Sequence, residues 1–250
     1  MRKVVILPNI ITAMNLLFGV FALMLIYNND LFSATICIFS AMLCDLMDGQ
    51  VARRHNATSQ FGLEFDSLSD LVSFGVAPSM LAFSFVLRDM NELGVFISAA
   101  YILACGLRLA RFNVMAQSSG KKHFSGLPSP AAAGVVCSSF MLILRHDYSF
   151  AYKIFPLTVL LAGVLMVSSV KYPVPIGLIL FLKNKMSPLP RLLVVSVFSV
   201  LVFTSTEIML YAVFAGYVAF GLTRSISVLS SNPVKTSILE FARKTFSHKK

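Results

Sequence analysis

The chain has 250 residues, of which 57% are hydrophobic and 13% charged, with a formal net charge of +10. An ordinary soluble domain has about a quarter of its residues charged, and apolar runs of membrane-spanning length recur along most of this chain, which excludes a water-soluble globular domain. The runs are continuous rather than alternating, which argues against a β-barrel, and the positive charge is assigned to anionic headgroups rather than to nucleic acid.

At roughly 20 apolar residues per span, the sequence predicts an all-α membrane bundle with helices over 5–27, 32–54, 66–87, 93–114, 128–145, 150–170, 190–205 and 207–224. The first run carries Pro8, Asn9, Thr12 and Asn15 and lacks a small-x-small cleavage site, so it reads as a retained helix rather than a signal peptide. The fourth helix ends in GLRLARFNV. After Lys121, Lys122 and His123 comes a Gly126-Leu127-Pro128 turn, and Ser129-Pro130 starts the fifth helix with proline in its usual first-turn place. From Tyr172 to residue 189 the chain is short and proline-punctuated, and reads as an interfacial hairpin or re-entrant piece. Cys37, Cys44, Cys105 and Cys137 lie singly in apolar segments and read as small buried hydrophobes.

Eight spans place both termini on one side. With that side cytoplasmic, only Arg88, Arg145 and Lys153 of the 21 basic residues fall outside, a positive-inside bias that sets the expected orientation. Asp30, Asp89, Glu92, Asp147 and Glu207 then occupy short external loops, whereas Asp45, Asp48, Asp66 and Asp70 gather at the cytoplasmic ends of helices 2 and 3.

Asp45 and Asp48 stand i, i+3 and Asp66 and Asp70 i, i+4, so each pair projects from one helix face. Gly49, Ala52 and Gly62 leave small-residue surface beside them. Four carboxylates at the membrane edge repel one another and resist desolvation unless countered. Arg53 and Arg54 offset part of this, and a structural salt-bridge cluster is the plain alternative, although both arginines follow the first pair rather than lying among the acids. Hard divalent cations suit all-oxygen ligands, and two of them would neutralise four carboxylates. Paired metals are a common device for displacement at phosphorus. Phosphoryl transfer at the cytoplasmic face is therefore expected, with a cation-transport site left open by composition alone.

The run Asp45-x2-Asp48-Gly49-x2-Ala52-Arg53-x8-Gly62-x3-Asp66-x3-Asp70 resembles the complete signature of the CDP-alcohol phosphotransferases, and the likeness spans residues 5–170. It implies a six-helix catalytic core that moves a phosphatidyl group from CDP-diacylglycerol to an alcohol and releases CMP. It implies two divalent cations, Mg²⁺ or Mn²⁺, on Asp45, Asp48, Asp66 and Asp70, with Asp45 and Asp66 bridging and Asp70 the general base toward the acceptor hydroxyl. For the donor it implies contacts from Asn9 and Thr12, from Asp48, from Gly49 and Ala52 beside the cytidine, from Arg53 to the diphosphate, and from Ser59 to the nucleotide. For Asn9 and Thr12 ordinary interhelical hydrogen bonding is the alternative. The resemblance also implies a homodimer in the lipid bilayer.

The acceptor is read from the rest of the cytoplasmic face. Arg108 and Arg111 stand i, i+3 before Asn113, and two arginines with an amide near a metal site suit a carboxylate. The pair RLARFN and FSGLPSPAAAG is similar to the serine-accepting branch of the same family in bacteria and archaea. This implies L-serine as acceptor, held by Arg111, Asn113 and Arg108, in a bacterial cytoplasmic membrane with the active site facing the cytoplasm. The alternatives are a glycerol 3-phosphate or inositol phosphate acceptor, arginines serving only as positive-inside anchors, and a metal- or proton-coupled transporter. A transporter should show midplane acids and two related halves, and neither is visible. The expected organisation is one membrane-embedded domain: a catalytic core over 1–170, an interfacial segment and two helices over 171–224, and a basic cytoplasmic tail over 225–250.

Overall fold

A computed structural model describes the backbone of residues 3–54, 59–119, 126–146, 149–170, 172 and 206–231, and side chains within 8–48, 59–115, 126–146, 149–170, 172 and 207–225. Every described element is helical. Helices α1 (Lys3–Tyr27) and α2 (Leu31–Arg54) form an antiparallel pair. Their turn closes because Asn29 takes a φ of 63°, a left-handed setting that asparagine tolerates. The backbone N–H groups of Asn28, Asn29 and Asp30 donate back to the carbonyls of Met24, Ile26 and Leu25. Asp30 Oδ1 then caps α2 by accepting from the Ser33 N–H at 3.1 Å, and the Ser33 side chain and backbone together hold the Asp30 carboxyl below its usual range.

The third span begins at Gln60, earlier than the predicted residue 66, because Ser59 caps it: its hydroxyl oxygen accepts from the Gly62 N–H at 3.0 Å. It runs as α3 (Gln60–Asp70), a π-helical turn (Leu71–Val76) and α4 (Ala77–Phe85). The π turn has a local cause. Pro78 lacks the N–H that would bond the carbonyl of Phe74 and would press its ring on that carbonyl in a regular helix. The widened turn relieves the clash, and the Tyr101 hydroxyl donates to the freed Phe74 oxygen at 3.2 Å.

A short 3₁₀ turn (Leu87–Met90) leads to α5 (Glu92–Ser119), α6 (Ser129–His146), α7 (Ser149–Val167) and α8 (Thr206–Ser231). Helix α5 packs along α7, and α6 lies among α2, α4, α7 and α8. Six described helical runs are long and apolar enough to cross a membrane: 8–27, 31–48, 60–85, 92–115, 149–167 and 207–225. The predicted fifth span, α6, is absent from that set. Its serines Ser129, Ser138 and Ser139 are buried between helices rather than facing lipid, so it needs less apolar character. Outward-facing Leu17, Phe21, Phe96, Leu103, Leu157 and Val164 are each half exposed or more, the pattern of a membrane-embedded bundle. The predicted span over 190–205, the hairpin from residue 173 to 189 and the tail beyond residue 231 lie outside the described residues.

With antiparallel helices, the C-terminal ends of α2, α5 and α7 and the N-terminal ends of α3 and α6 share one side of the bundle. That side carries the site.

Candidate active site

On that side, α2 presents Asp45 and Asp48 while α3 presents Asp66 and Asp70. Carboxylate oxygens of Asp45, Asp48 and Asp66 all lie within 4.8 Å of one another. At that spacing and an effective dielectric of about 20, each ionised pair repels by roughly 3 kcal/mol, so the trio calls for a cation. The donor set is all oxygen, which suits a hard divalent ion. Asp66 Oδ1 is buried and has no hydrogen-bond partner among the described residues, leaving a ligand atom in reserve. The residues present therefore fit a metal. Asp70 stands one turn further along α3, outside that trio but near enough to feel the charges of Asp45 and Asp66.

Helix α1 supplies neutral donors to both pairs. Thr12 Oγ1 lies 2.9 Å from Asp48 Oδ2 and 3.1 Å from the Pro8 carbonyl, so its single proton is shared between the carboxylate and its own helix. Asn15, one turn on, donates from Nδ2 to Asp70 Oδ1 at 3.2 Å. Asn9 borders the same face: a Cβ added to Gly62 would sit 3.1 Å from both Asn9 Oδ1 and Ser59 Oγ. The bare Gly62 lets the start of α3 close on α1. Ser59 caps α3 through its oxygen, which leaves its proton free to donate elsewhere. Gly49, Ala52 and Arg53 belong to the last turns of α2, and their side chains lie outside the described residues.

The three residues expected around the acceptor separate. Arg108 is only 9% exposed, donates from Nη1 to Ser129 Oγ at 2.6 Å at the start of α6, and lies close enough to Asp70 and Asp45 to interact with both charges. Arg111 points elsewhere. Its guanidinium donates to the carbonyls of Val167, Met166 and Ser168 at 2.9, 3.2 and 3.3 Å, closing the C-terminus of α7, where a cation also meets the helix dipole. The same helix end receives the N–H groups of Gly126 and Leu127, which donate to Val170 and Leu165 at 2.8 and 2.9 Å. Gly126 holds a φ of +89° there, a setting that favours glycine. Asn113 donates to Glu64 Oε2 at 3.2 Å and exchanges hydrogen bonds with Ser67, tying α5 to α3.

Sequence reading missed Asn15, Ser129 and the π turn. The available signals were a buried-span amide on the same face as Thr12 and a proline inside the third span.

Comparison with known proteins agrees with this geometry. The CDP-alcohol phosphatidyltransferase family model matches residues 5–176. A Helicobacter pylori protein named CDP-diacylglycerol–serine O-phosphatidyltransferase is 37% identical over 170 residues, covering 66% of this chain and 71% of that protein. A Bacillus subtilis protein of the same name is 38% identical over 169 residues, 67% of this chain and 89% of the relative. An archaetidylserine synthase of Methanothermobacter thermautotrophicus is 35% identical over 169 residues, with 67% and 69% covered.

Proposed function

Because the chain belongs to the CDP-alcohol phosphatidyltransferase family, we propose that it acts as a phosphatidylserine synthase, transferring the phosphatidyl group of CDP-diacylglycerol to the hydroxyl of L-serine with release of CMP. The observation that carries the reaction class is the gathering of Asp45, Asp48 and Asp66 within 4.8 Å beside a buried Asp70. The acceptor is supported by relatives at 37% and 38% identity whose names specify serine.

Asp45, Asp48, Asp66 and Asp70 would hold two divalent cations, Mg²⁺ or Mn²⁺, which would neutralise the diphosphate and favour displacement at the β-phosphorus. The chain's own residues do the rest. Asn9, Thr12 and Ser59 line the donor side, Gly49 and Ala52 leave room for the cytidine, and Arg53 suits a diphosphate as a planar multi-donor cation. Asp70 takes the proton of the serine hydroxyl. We place the serine carboxylate at Arg108, with Arg111 and Asn113 bracing the helices around it. Arg108 lies beside Asp70, whereas Arg111 is engaged by three carbonyls. An arginine in the carboxylate site and Asp70 at the hydroxyl hold serine by both ends.

The site faces the cytoplasm of a bacterial membrane, where free serine is available, and the active form is a homodimer; the basic asymmetry and the family resemblance support these two statements. The test uses purified protein with CDP-diacylglycerol and Mn²⁺, offered labelled serine, glycerol 3-phosphate or inositol phosphate in parallel. Phosphatidylserine should form, and chelation with EDTA should stop it. Product from another acceptor alone would reassign the substrate, and EDTA-resistant turnover would remove the metals.

A further inference from the structure

Asn15 is wholly buried in the first span, in a position where an apolar residue is the default. Its amide is used at one end only. Nδ2 donates to Asp70 Oδ1 at 3.2 Å, while Oδ1 is buried with no partner among the described residues. An unpaired buried carbonyl is destabilising, and leucine at this position would remove the burden. The amide's one described hydrogen bond is its hold on Asp70.

The surrounding packing fixes where that donor sits. The Ser73 hydroxyl, on the π turn just after Asp70, donates to the Asn15 main-chain carbonyl at 2.9 Å. One turn along α1, a Cβ on Gly19 would collide with the Ser73 hydroxyl, so the two backbones meet closely. The terminal torsion of an aspartate is broad and weakly specified on its own, and Arg108 lies close enough to attract the same carboxylate. We propose that Asn15 is a positioning residue for Asp70, holding one carboxylate oxygen so that the other is presented to the acceptor's hydroxyl. The inference rests on the reading of Asp70 as the base.

Two variants test it. Asn15→Leu keeps the volume and removes the donor; Asn15→Ser keeps polarity in a smaller side chain whose hydroxyl falls short of Asp70. Loss of a hydrogen bond to a charged group predicts that kcat falls roughly 10–100-fold in both. The Michaelis constants for donor and alcohol, and the affinity for Mn²⁺ measured by electron paramagnetic resonance, should stay within about threefold of wild type, as expected when only transition-state positioning is lost. If Asn15→Leu does not fold, Asn15→Ser decides. A folded variant with unchanged kcat overturns the proposal, and so does a fall in kcat that tracks lost Mn²⁺ binding. Rates are taken with whichever alcohol the wild-type protein accepts, so failure on serine alone overturns the acceptor assignment and leaves this comparison standing.

Discussion

Asp70 accepts a hydrogen bond from the Asn15 amide, and Arg108 lies close enough to attract its charge. A carboxylate so placed can bind as an anion and take a proton from a neighbouring hydroxyl, whereas an amide of the same shape can do neither. Asp70→Asn should therefore lower transfer by roughly 10²–10⁴-fold, the usual range for general base catalysis. CDP-diacylglycerol binding should remain, and metal content measured on the same sample separates a lost base from a lost ion. The two arginines make a second, opposed pair of expectations. Arg108→Lys keeps the charge but loses the planar fork, so it should raise the Michaelis constant for serine by about tenfold and leave that for the lipid donor alone. Arg111→Ala releases three carbonyls at the end of α7, so it should instead reduce stability by about 1–3 kcal/mol, seen as a lower midpoint in thermal unfolding. A serine-specific defect in Arg111→Ala with normal unfolding would return the carboxylate to Arg111. The four aspartates were legible because their spacing lies within one stretch of sequence. The difference between Arg108 and Arg111 was not, since both share the i, i+3 face rule and only the approach of α6 and α7 tells them apart.

At the scale of elements, the third span is where reading the sequence and folding the chain diverge most. Apolar length marked a helix near 66–87, and its existence was correct. Its start depended on whether Ser59 capped it, which needs the Gly62 N–H within reach. Its interior depended on how the chain treats Pro78. The π turn carries one extra residue, and 3.6 residues per turn makes that worth a rotation of about 100° between α3 and α4. This is how Asp66 and Asp70 face α1 and α2 while Leu81 and Ala82 still face the core. Deleting Val72 together with Pro78→Ala, which removes the clash that widens the turn, should restore an unbroken α-register and swing the aspartates off the site. Transfer should then fall by more than about 100-fold while the helical circular dichroism and the monodisperse elution in detergent persist. Retained activity would show that Asp70 is positioned by something other than the π turn.

Across the whole molecule, one side of the bundle holds every residue assigned to chemistry, and the opposite side holds the Asn29 turn, the Leu87–Met90 turn and the Tyr152 hydroxyl donating toward Asp89. This polarity follows from helix order alone: residues 48, 66, 108, 129 and 167 fall at alternate ends of successive antiparallel helices. Charge then sets the expected orientation, with the site's side toward the cytoplasm. In the eight-span arrangement expected from the sequence, only Arg88, Arg145 and Lys153 of the 21 basic residues would belong to the far side, and an excess of lysine and arginine is retained on the cytoplasmic side during insertion. A substrate consideration points the same way, because serine and CMP are water-soluble and must reach Asp70 and Arg108 from the compartment that supplies one and recovers the other. A single cysteine introduced at position 88 should therefore react with a membrane-impermeant maleimide added to intact cells. One introduced at position 121 or 250 should react only after permeabilisation. The native Cys44, Cys105 and Cys137 are buried and Cys37 is half-buried, so the parent chain labelled alongside sets the background. Labelling of position 250 from outside, with position 121 still protected, would mean an odd number of spans after α5. The helices beyond α7 would then need rearrangement while the site kept its side; labelling of position 121 from outside would turn the active site itself outward.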